Sequence, residues 1–275
     1  MESTTRLSEE NKKKPGFTES TLKLIAIVTM AIDHVGAGIL ERMITWYGFY
    51  TLETGEQMEK WMAVHGHIFY TDMVLRCIGR VAFPIFCFMI VEGFFHTRSR
   101  FKYAARLFMF GIISEIPFDL MLKGRMFDFG YQNVYFTLGL GLLSIWVMEK
   151  VASPEKFKNC HIIVKGIIMV ITVAVFGVIA ELMMTDYGAF GVLAISVMYV
   201  MRRFVKKATN KWIFLIGIFS LMISNISEGF AALATPFVAK YNGERGLKLK
   251  FLFYAFYPVH LLIIYLITRM LGFWT

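Results

Sequence analysis

The sequence predicts an all-α integral membrane protein, a polytopic bundle of about nine transmembrane helices with its N-terminus in the cytoplasm. Three observations predict it: an apolar composition, apolar runs of membrane-spanning length, and positive charge confined to alternate loops. The 275 residues are 57% hydrophobic and 16% aromatic, with a mean hydropathy of +0.57, more apolar surface than a soluble fold of this size hides. Apolar runs of about 20 residues recur from Leu22 to the C-terminus, each long enough to cross a hydrocarbon core of roughly 30 Å. The net charge of +9 would suit a nucleic-acid partner. Its basic residues, however, fall in short loops between apolar runs, so it reads as a topology signal and the expected surroundings are a lipid bilayer.

The chain divides into a polar cytoplasmic tail, 1–20, and a single transmembrane domain, 21–275. The tail has no charged, apolar and small-residue regions in the order of a cleaved signal peptide. Helices are expected at 22–41, 71–95, 101–121, 132–149, 161–184, 187–201, 211–224, 226–240 and 250–271, the sixth to eighth being short. Ser224, Asn225, Ser227 and Glu228 form a polar break between the seventh and eighth, read as a tight outer turn or a re-entrant feature. Basic groups cluster around Lys12–Lys14, Arg98–Lys102, Lys150–Lys165, Arg202–Lys211 and Lys240–Lys250. The alternate loops carry Glu53, Glu56, Glu59, Asp128, Asp186 and Glu228. That alternation puts the N-terminus in the cytoplasm of a bacterial cell membrane and the C-terminus outside. The largest outer loop, 42–70, holds Trp46, Tyr47, Trp61, His65 and His67, read as interfacial aromatics. Cys77 and Cys87 share one predicted helix about 15 Å apart and cannot pair there.

Ionisable residues in lipid cost at least about 2.5–3.5 kcal/mol each, so they pair or take part in function. On the first helix Lys23 and His34 are eleven residues apart, which puts them on one face with about 16.5 Å of rise between them. The second helix runs back from outside, so Arg76 and Arg80, at i and i+4, reach the depth of Asp33 and His34. This predicts an Asp33–Arg80 ion pair, with Glu115 on the third helix as a partner for Arg76 or Arg80. On the ninth helix Pro258 introduces a kink and His260 lies level with His34. A histidine is suited to taking a proton from an acceptor hydroxyl or amine that attacks a thioester. Asp33 lies about 100° round the helix from His34, so His34 is expected to be oriented from another helix. Lys23 and the basic loop at Arg98 are placed to hold the phosphates of a ligand entering from the cytoplasm.

Four stretches, LKLIAIVTMAIDHVG at 22–36, LRCIGRVAFPIFCFMIVEGFFHT at 75–97, RFKYAARLFMFGIISEIPFDL at 100–120 and FYPVHLLIIYL at 256–266, resemble the TraX family of bacterial membrane proteins, within the wider superfamily of transmembrane acyltransferases. The spacing of Lys23 and His34 is also similar to that of a basic residue and a histidine in the first helix of acyltransferase family three. TraX is associated with acetylating the N-terminus of a conjugative pilin, and the superfamily moves acyl groups from acyl-CoA to sugars, polymers and peptides. The resemblance implies chemistry more than substrate. It implies transfer of an acetyl or other short acyl group from cytoplasmic acyl-CoA to a glycan, polymer or protein N-terminus at or beyond the outer face. His34 would be the general base, Lys23 and Arg98 would contact the CoA, and Arg76 and Arg80 would stabilise the oxyanion or the acceptor. Asp33, Glu115 and His260 would position them.

Plainer roles stand beside these. Lys23 can snorkel to the interface, the Arg76–Arg80–Asp33–Glu115 group can be a structural ion-pair network, and Glu92 reads as an interfacial anchor. His65, His67 and Asp72 have a loose metal-ligand look, but no further ligands cluster in the sequence and no metal is expected. The rival functions are a proton-coupled small-molecule transporter, since intramembrane His, Asp and Arg also build proton relays, and a non-catalytic membrane component of a conjugation or secretion system.

Overall fold

A computed structural model describes residues 14–153, 161–248 and 250–274. Lys12, Lys13, Lys156, Lys158 and Cys160 lie outside the described residues. Thr18 caps α1 (Glu19–Val35) by accepting from the Thr21 amide. The helix continues through a π-turn at Gly36–Leu40 into α2 (Glu41–Trp46), so the first rod is longer than the expected 22–41. The wide turn falls where the two glycines admit close neighbours, Arg76 against Gly36 and Ile264 against Gly38.

The expected outer loop 42–70 is largely helical. Thr54 and Gln57 form a capping box that starts α3 (Gly55–Gly79), two orphan amides being satisfied reciprocally. Ile44, Trp61 and Ile68 make a small apolar cluster that fastens this extension to α2, and the Trp61 indole donates to the Tyr47 carbonyl at 2.8 Å. After a break at Arg80–Val81 the chain resumes as α4 (Ala82–His96). Pro84 explains the break: it has no N–H to give the carbonyl of Arg80, four residues back, and its ring crowds that carbonyl.

α5 (Arg100–Lys123) is capped by Ser99, contains Pro117 and ends at Gly124, whose φ of 68° is the left-handed closure favoured by glycine. α6 (Val134–Ala152), α7 (Ile162–Leu182), α8 (Gly188–Phe204) and α9 (Asn210–Met222) follow. The expected eighth helix is instead a 3-10 segment, Ile226–Ala234, and a five-residue α10 (Thr235–Ala239). α11 (Lys250–Met270) contains Pro258. Among the described residues five helical stretches are long and apolar enough to cross a membrane: Glu19–Trp46, Gly55–His96, Val134–Ala152, Ile162–Leu182 and Leu252–Met270. The 13 residues of α9 rise only about 20 Å.

α4 is the central helix, in contact with α1, α6, α8 and α9. Its Ile85, Cys87, Phe88 and Phe94 are fully buried, an apolar arrangement that suits a helix surrounded by other helices. α7 is the opposite case, with Ile163, Ile167, Val170, Ile171, Val175 and Val178 exposed along it, as a lipid-facing helix requires. Asp33 is 14 residues beyond Glu19 on α1 and α2's predecessor turn begins just past it, so it lies about 21 Å from the lysine-rich end. At that level three connections meet the helices: 128–133, 183–187 and the 3-10 segment. The first two are joined by a parallel bridge between Gln132 and Thr185. The helices joined by these connections therefore end at the depth where the buried charges sit.

Candidate functional site

The site has two parts, a polar layer at this level and a basic cavity beneath it. In the layer, packing of α1 on α11 brings His34 and His260 together, as their matching depths predicted: His34 Nδ1 is 2.6 Å from His260 Nε2, and the rings stack with centroids 4.9 Å apart. His260 Nδ1 lies 2.7 Å from the carbonyl oxygen of Phe256. A carbonyl only accepts, so that nitrogen carries a proton. With both rings neutral, His260 Nε2 is then the acceptor, His34 Nδ1 the donor, and His34 Nε2 keeps its lone pair. One tautomer is thus specified for His34 from a second helix, and it is the tautomer a general base needs at Nε2.

The arginines are arranged differently from expectation. Arg76, not Arg80, pairs with Asp33, at 2.5 Å, and its Nε is 3.3 Å from Glu41. Arg80 turns to Glu228, at 2.9 Å. The expected Asp33–Arg80 pair rested on matched depth; α3 stays helical through Arg80, whose amide donates to the Arg76 carbonyl, and it is Arg76, packed against Gly36, that meets Asp33. Gly79 sits directly against Asp33, where any Cβ would overlap its carboxylate. Glu115 does not pair with either arginine. Its carboxylate accepts from Asn133, from the side-chain nitrogen at 2.6 Å and the backbone amide at 3.3 Å. Asn133 is fully buried and also donates to the Gly111 carbonyl at 2.8 Å, so Glu115 fixes the start of α6.

Glu228 and Asp186, expected in outer loops, both belong to the layer. Glu228 is 3% exposed. Asp186 accepts from the Tyr131 hydroxyl at 2.6 Å, and burial pushes its carboxyl above the ordinary aspartate range against the opposing pull of Tyr131, Arg80 and Arg76. Its loop is strained: Met184 and Tyr187 adopt φ of 52° and 62°, and the Tyr187 ring stacks on Phe83 at 3.7 Å. Asp33 Oδ1, Asp72 Oδ1 and Glu228 Oε2 are buried with no hydrogen-bond partner among the described residues, so the two arginines do not satisfy every carboxylate oxygen of the layer. Sequence reading missed Asp186, Glu228, Tyr131 and Asn133. The polar break 224–228 was a visible signal for one of them.

The cavity, of about 400 Å³, opens at the lysine-rich end and is lined by α1, α4, α5, α6, α11 and the 240–247 loop. Lys23, Arg98, Arg106 and Arg245 come to it from four separate segments. Lys23 pairs with Glu19, the one carboxylate in the lining among the described residues. The three arginines have no carboxylate partner among the described residues, and Arg106 Nε is buried without a hydrogen bond. Lys23 and Arg98 were anticipated here; Arg106 and Arg245 were not. The loop that carries Arg245 is fastened to the start of α1: the Ser20 amide donates to the Arg245 carbonyl at 3.2 Å and the Leu247 amide to Ser20 Oγ at 3.0 Å. Gly246, φ 69°, packs where a Cβ would overlap Ser20 and Thr18.

One other expectation changes. Glu92 is not an interfacial anchor but 4% exposed, and it pairs with Arg202 at 2.9 Å. His65 stacks on Tyr47 at 4.2 Å, an aromatic packing role. Among the described residues no group of three or more His, Cys, Asp or Glu side chains is placed to hold a metal ion.

No solved structure matches the chain. A probable fimbrial assembly protein FimC, serogroup H1, of Dichelobacter nodosus is 25% identical over 269 residues, covering 89% of this chain and 93% of that protein. An uncharacterized protein of Rickettsia prowazekii (strain Madrid E) is 22% identical over 176 residues, covering 59% of this chain and 56% of its own length. The family model described as TraX protein matches residues 18–268, and the chain belongs to that family.

Proposed function

We propose that the protein is a membrane-embedded acyltransferase that takes an acetyl or other short acyl group from acyl-CoA on the cytoplasmic side and delivers it to an acceptor at or beyond the outer face. The N-terminus and the basic cavity then face the cytoplasm of a bacterial cell membrane, in keeping with positive charge at that end. One observation carries the reading: a cavity with three arginines lacking a carboxylate partner lies directly beneath a histidine pair whose tautomers leave a free lone pair. Uncompensated arginines favour a multiply phosphorylated ligand, which guanidinium groups grip through paired N–H donors. In the reaction the acceptor heteroatom attacks the thioester carbonyl. Its proton passes to His34 Nε2, the carbon–sulfur bond breaks, and the proton is returned to the thiolate. Arg76 supplies positive charge for the developing oxyanion. His260 is a positioning residue that acts through His34.

Thermal unfolding of the detergent-purified protein with and without acetyl-CoA tests the reading, because a ligand that binds only the folded state raises the midpoint. The rise is expected in wild type and in His34→Ala, and is expected to be lost in Arg106→Ala. No rise with acetyl-CoA or CoA overturns it.

A second reading is supported by the name of the Dichelobacter relative, which speaks of fimbrial assembly rather than of an enzyme. On it the protein is a non-catalytic membrane component of a conjugation or pilus system, and the buried charges only hold the bundle together. The two readings part at His34→Gln, which impairs the first function with folding intact and leaves the second unchanged.

A further inference from the structure

The basic cavity stops short of the histidine pair. Tyr135 and Leu138 of α6 and Tyr254 of α11 are among its lining residues, and neither histidine is. Between these residues and the histidines stands Tyr257, 3% exposed. Its ring meets Tyr135 edge-on at 5.1 Å on one side, and meets His34 at 6.0 Å and His260 at 5.7 Å on the other. Tyr135, 8% exposed, is itself tilted against Phe110, which stacks on Tyr254 at 4.5 Å. Tyr257 is therefore held within a packed aromatic group that reaches from the cavity to the histidine pair.

We infer that Tyr257 is the partition between the donor cavity and the histidine layer and sets the length of acyl chain that the resting site admits; this rests on the acyl-CoA reading above. A ligand whose phosphates sit among Arg98, Arg106 and Arg245 at the mouth directs its thioester towards Tyr135 and Tyr254. Each carbon added beyond a short acyl group must displace the Tyr257 ring from a site with no spare volume, and overpacking of that kind is penalised. Transfer itself requires the ring to turn aside. The residue that follows it supplies the slack: Pro258 has no N–H for the carbonyl of Tyr254, so α11 lacks a hydrogen bond at the turn joining the cavity wall to the partition. While closed, the ring also separates the polar layer from water entering the cavity.

The experiment is isothermal titration of the full-length protein in detergent with CoA, acetyl-CoA and hexanoyl-CoA, for wild type, Tyr257→Phe and Tyr257→Ala. Wild type and Tyr257→Phe, which keeps the ring, are expected to bind hexanoyl-CoA about tenfold more weakly than acetyl-CoA. In Tyr257→Ala that difference is expected to disappear, with the affinity for CoA itself unchanged as the sign of an intact fold. Tyr257→Leu replaces the alanine variant if that one does not fold. Binding of both acyl-CoAs to wild type with equal affinity, or discrimination that survives removal of the ring, overturns the partition and leaves the acyl-CoA reading standing. Binding of none of the three ligands removes that reading, and the partition with it.

Discussion

His34 and His260, 226 residues apart in the chain, share one hydrogen bond of 2.6 Å in which the Phe256 carbonyl dictates who donates. The consequence is an asymmetry between two residues that look equivalent in the sequence. His34→Ala removes the base, and a loss of about 10²–10⁴ in kcat is expected. His260→Ala leaves the base in place with its tautomer unspecified, so a smaller loss in kcat and an unchanged KM for acyl-CoA are expected. His260→Asn, whose amide nitrogen and oxygen can each bond, should recover part of that loss. Equal losses for the two alanine variants, in kcat and KM alike, count against the assigned roles.

The Arg80–Glu228 pair joins α3's end to the 3-10 segment, and Glu228 is nearly inaccessible. Removing one member leaves the other buried and uncompensated, whereas removing both replaces a desolvated pair by apolar contact. Arg80→Met should cost about 3 kcal/mol of stability. Arg80→Met combined with Glu228→Leu should unfold nearer to wild type than the single variant does. Thermal unfolding in detergent compares the three. A double variant less stable than Arg80→Met means that the pair is replaced by nothing, and that the 3-10 segment depends on Glu228 for another reason.

Much of this arrangement was legible before any coordinates. Rise per residue placed His34 and His260 at one depth because α1 is regular up to Val35 and the depth count on α11 tolerates a single proline. The same arithmetic failed for Arg80 because depth alone does not decide which of two arginines one turn apart meets the carboxylate: Arg76 packs against Gly36 beside Asp33, while Arg80 meets Glu228 on a connection that folds inward. Glu228 and Asp186 were assigned to outer loops because charge in a connection is ordinarily solvated. Here the connections descend to the buried layer, and no periodicity marks a loop that folds inward. The extension at Gly55 was hidden by its composition, since Glu53, Glu56 and Glu59 read as the charges of an outer loop, while its capping box and the Ile44–Trp61–Ile68 cluster are local signals that were present.

Arg106 and Arg245 converge on the cavity from α5 and from the loop before α11. If they hold phosphates, Arg106→Ala and Arg245→Ala each weaken acetyl-CoA binding and each make it less sensitive to salt, since fewer charge contacts remain to be screened. Arg245→Lys keeps the charge without the planar fork and should recover only part of the affinity. Titrations at two salt concentrations measure both effects. An affinity that falls equally at both concentrations indicates lost packing rather than a lost ionic contact.

Gly79 is the residue on which the Asp33–Arg76 pair depends without taking part in it. A Cβ at this position would overlap the Asp33 side chain at several atoms, and withdrawal of α3 would open the close contact of Arg76 with Gly36 in the same interface. Gly79→Ala therefore displaces the Asp33 carboxylate and parts it from Arg76, with a cost of about 1–3 kcal/mol from overpacking. Helix propensity alone favours alanine over glycine by about 1 kcal/mol, so the sign of the change decides which effect wins. Destabilisation with loss of activity is the expected result, and Asp33→Gly introduced alongside it should recover part of the stability but no activity, because it removes the overlapped Asp33 Cβ and the carboxylate together. A stabilised and active Gly79→Ala would mean that α1 and α3 separate readily at this level, and that Asp33 does not need to be held where it is.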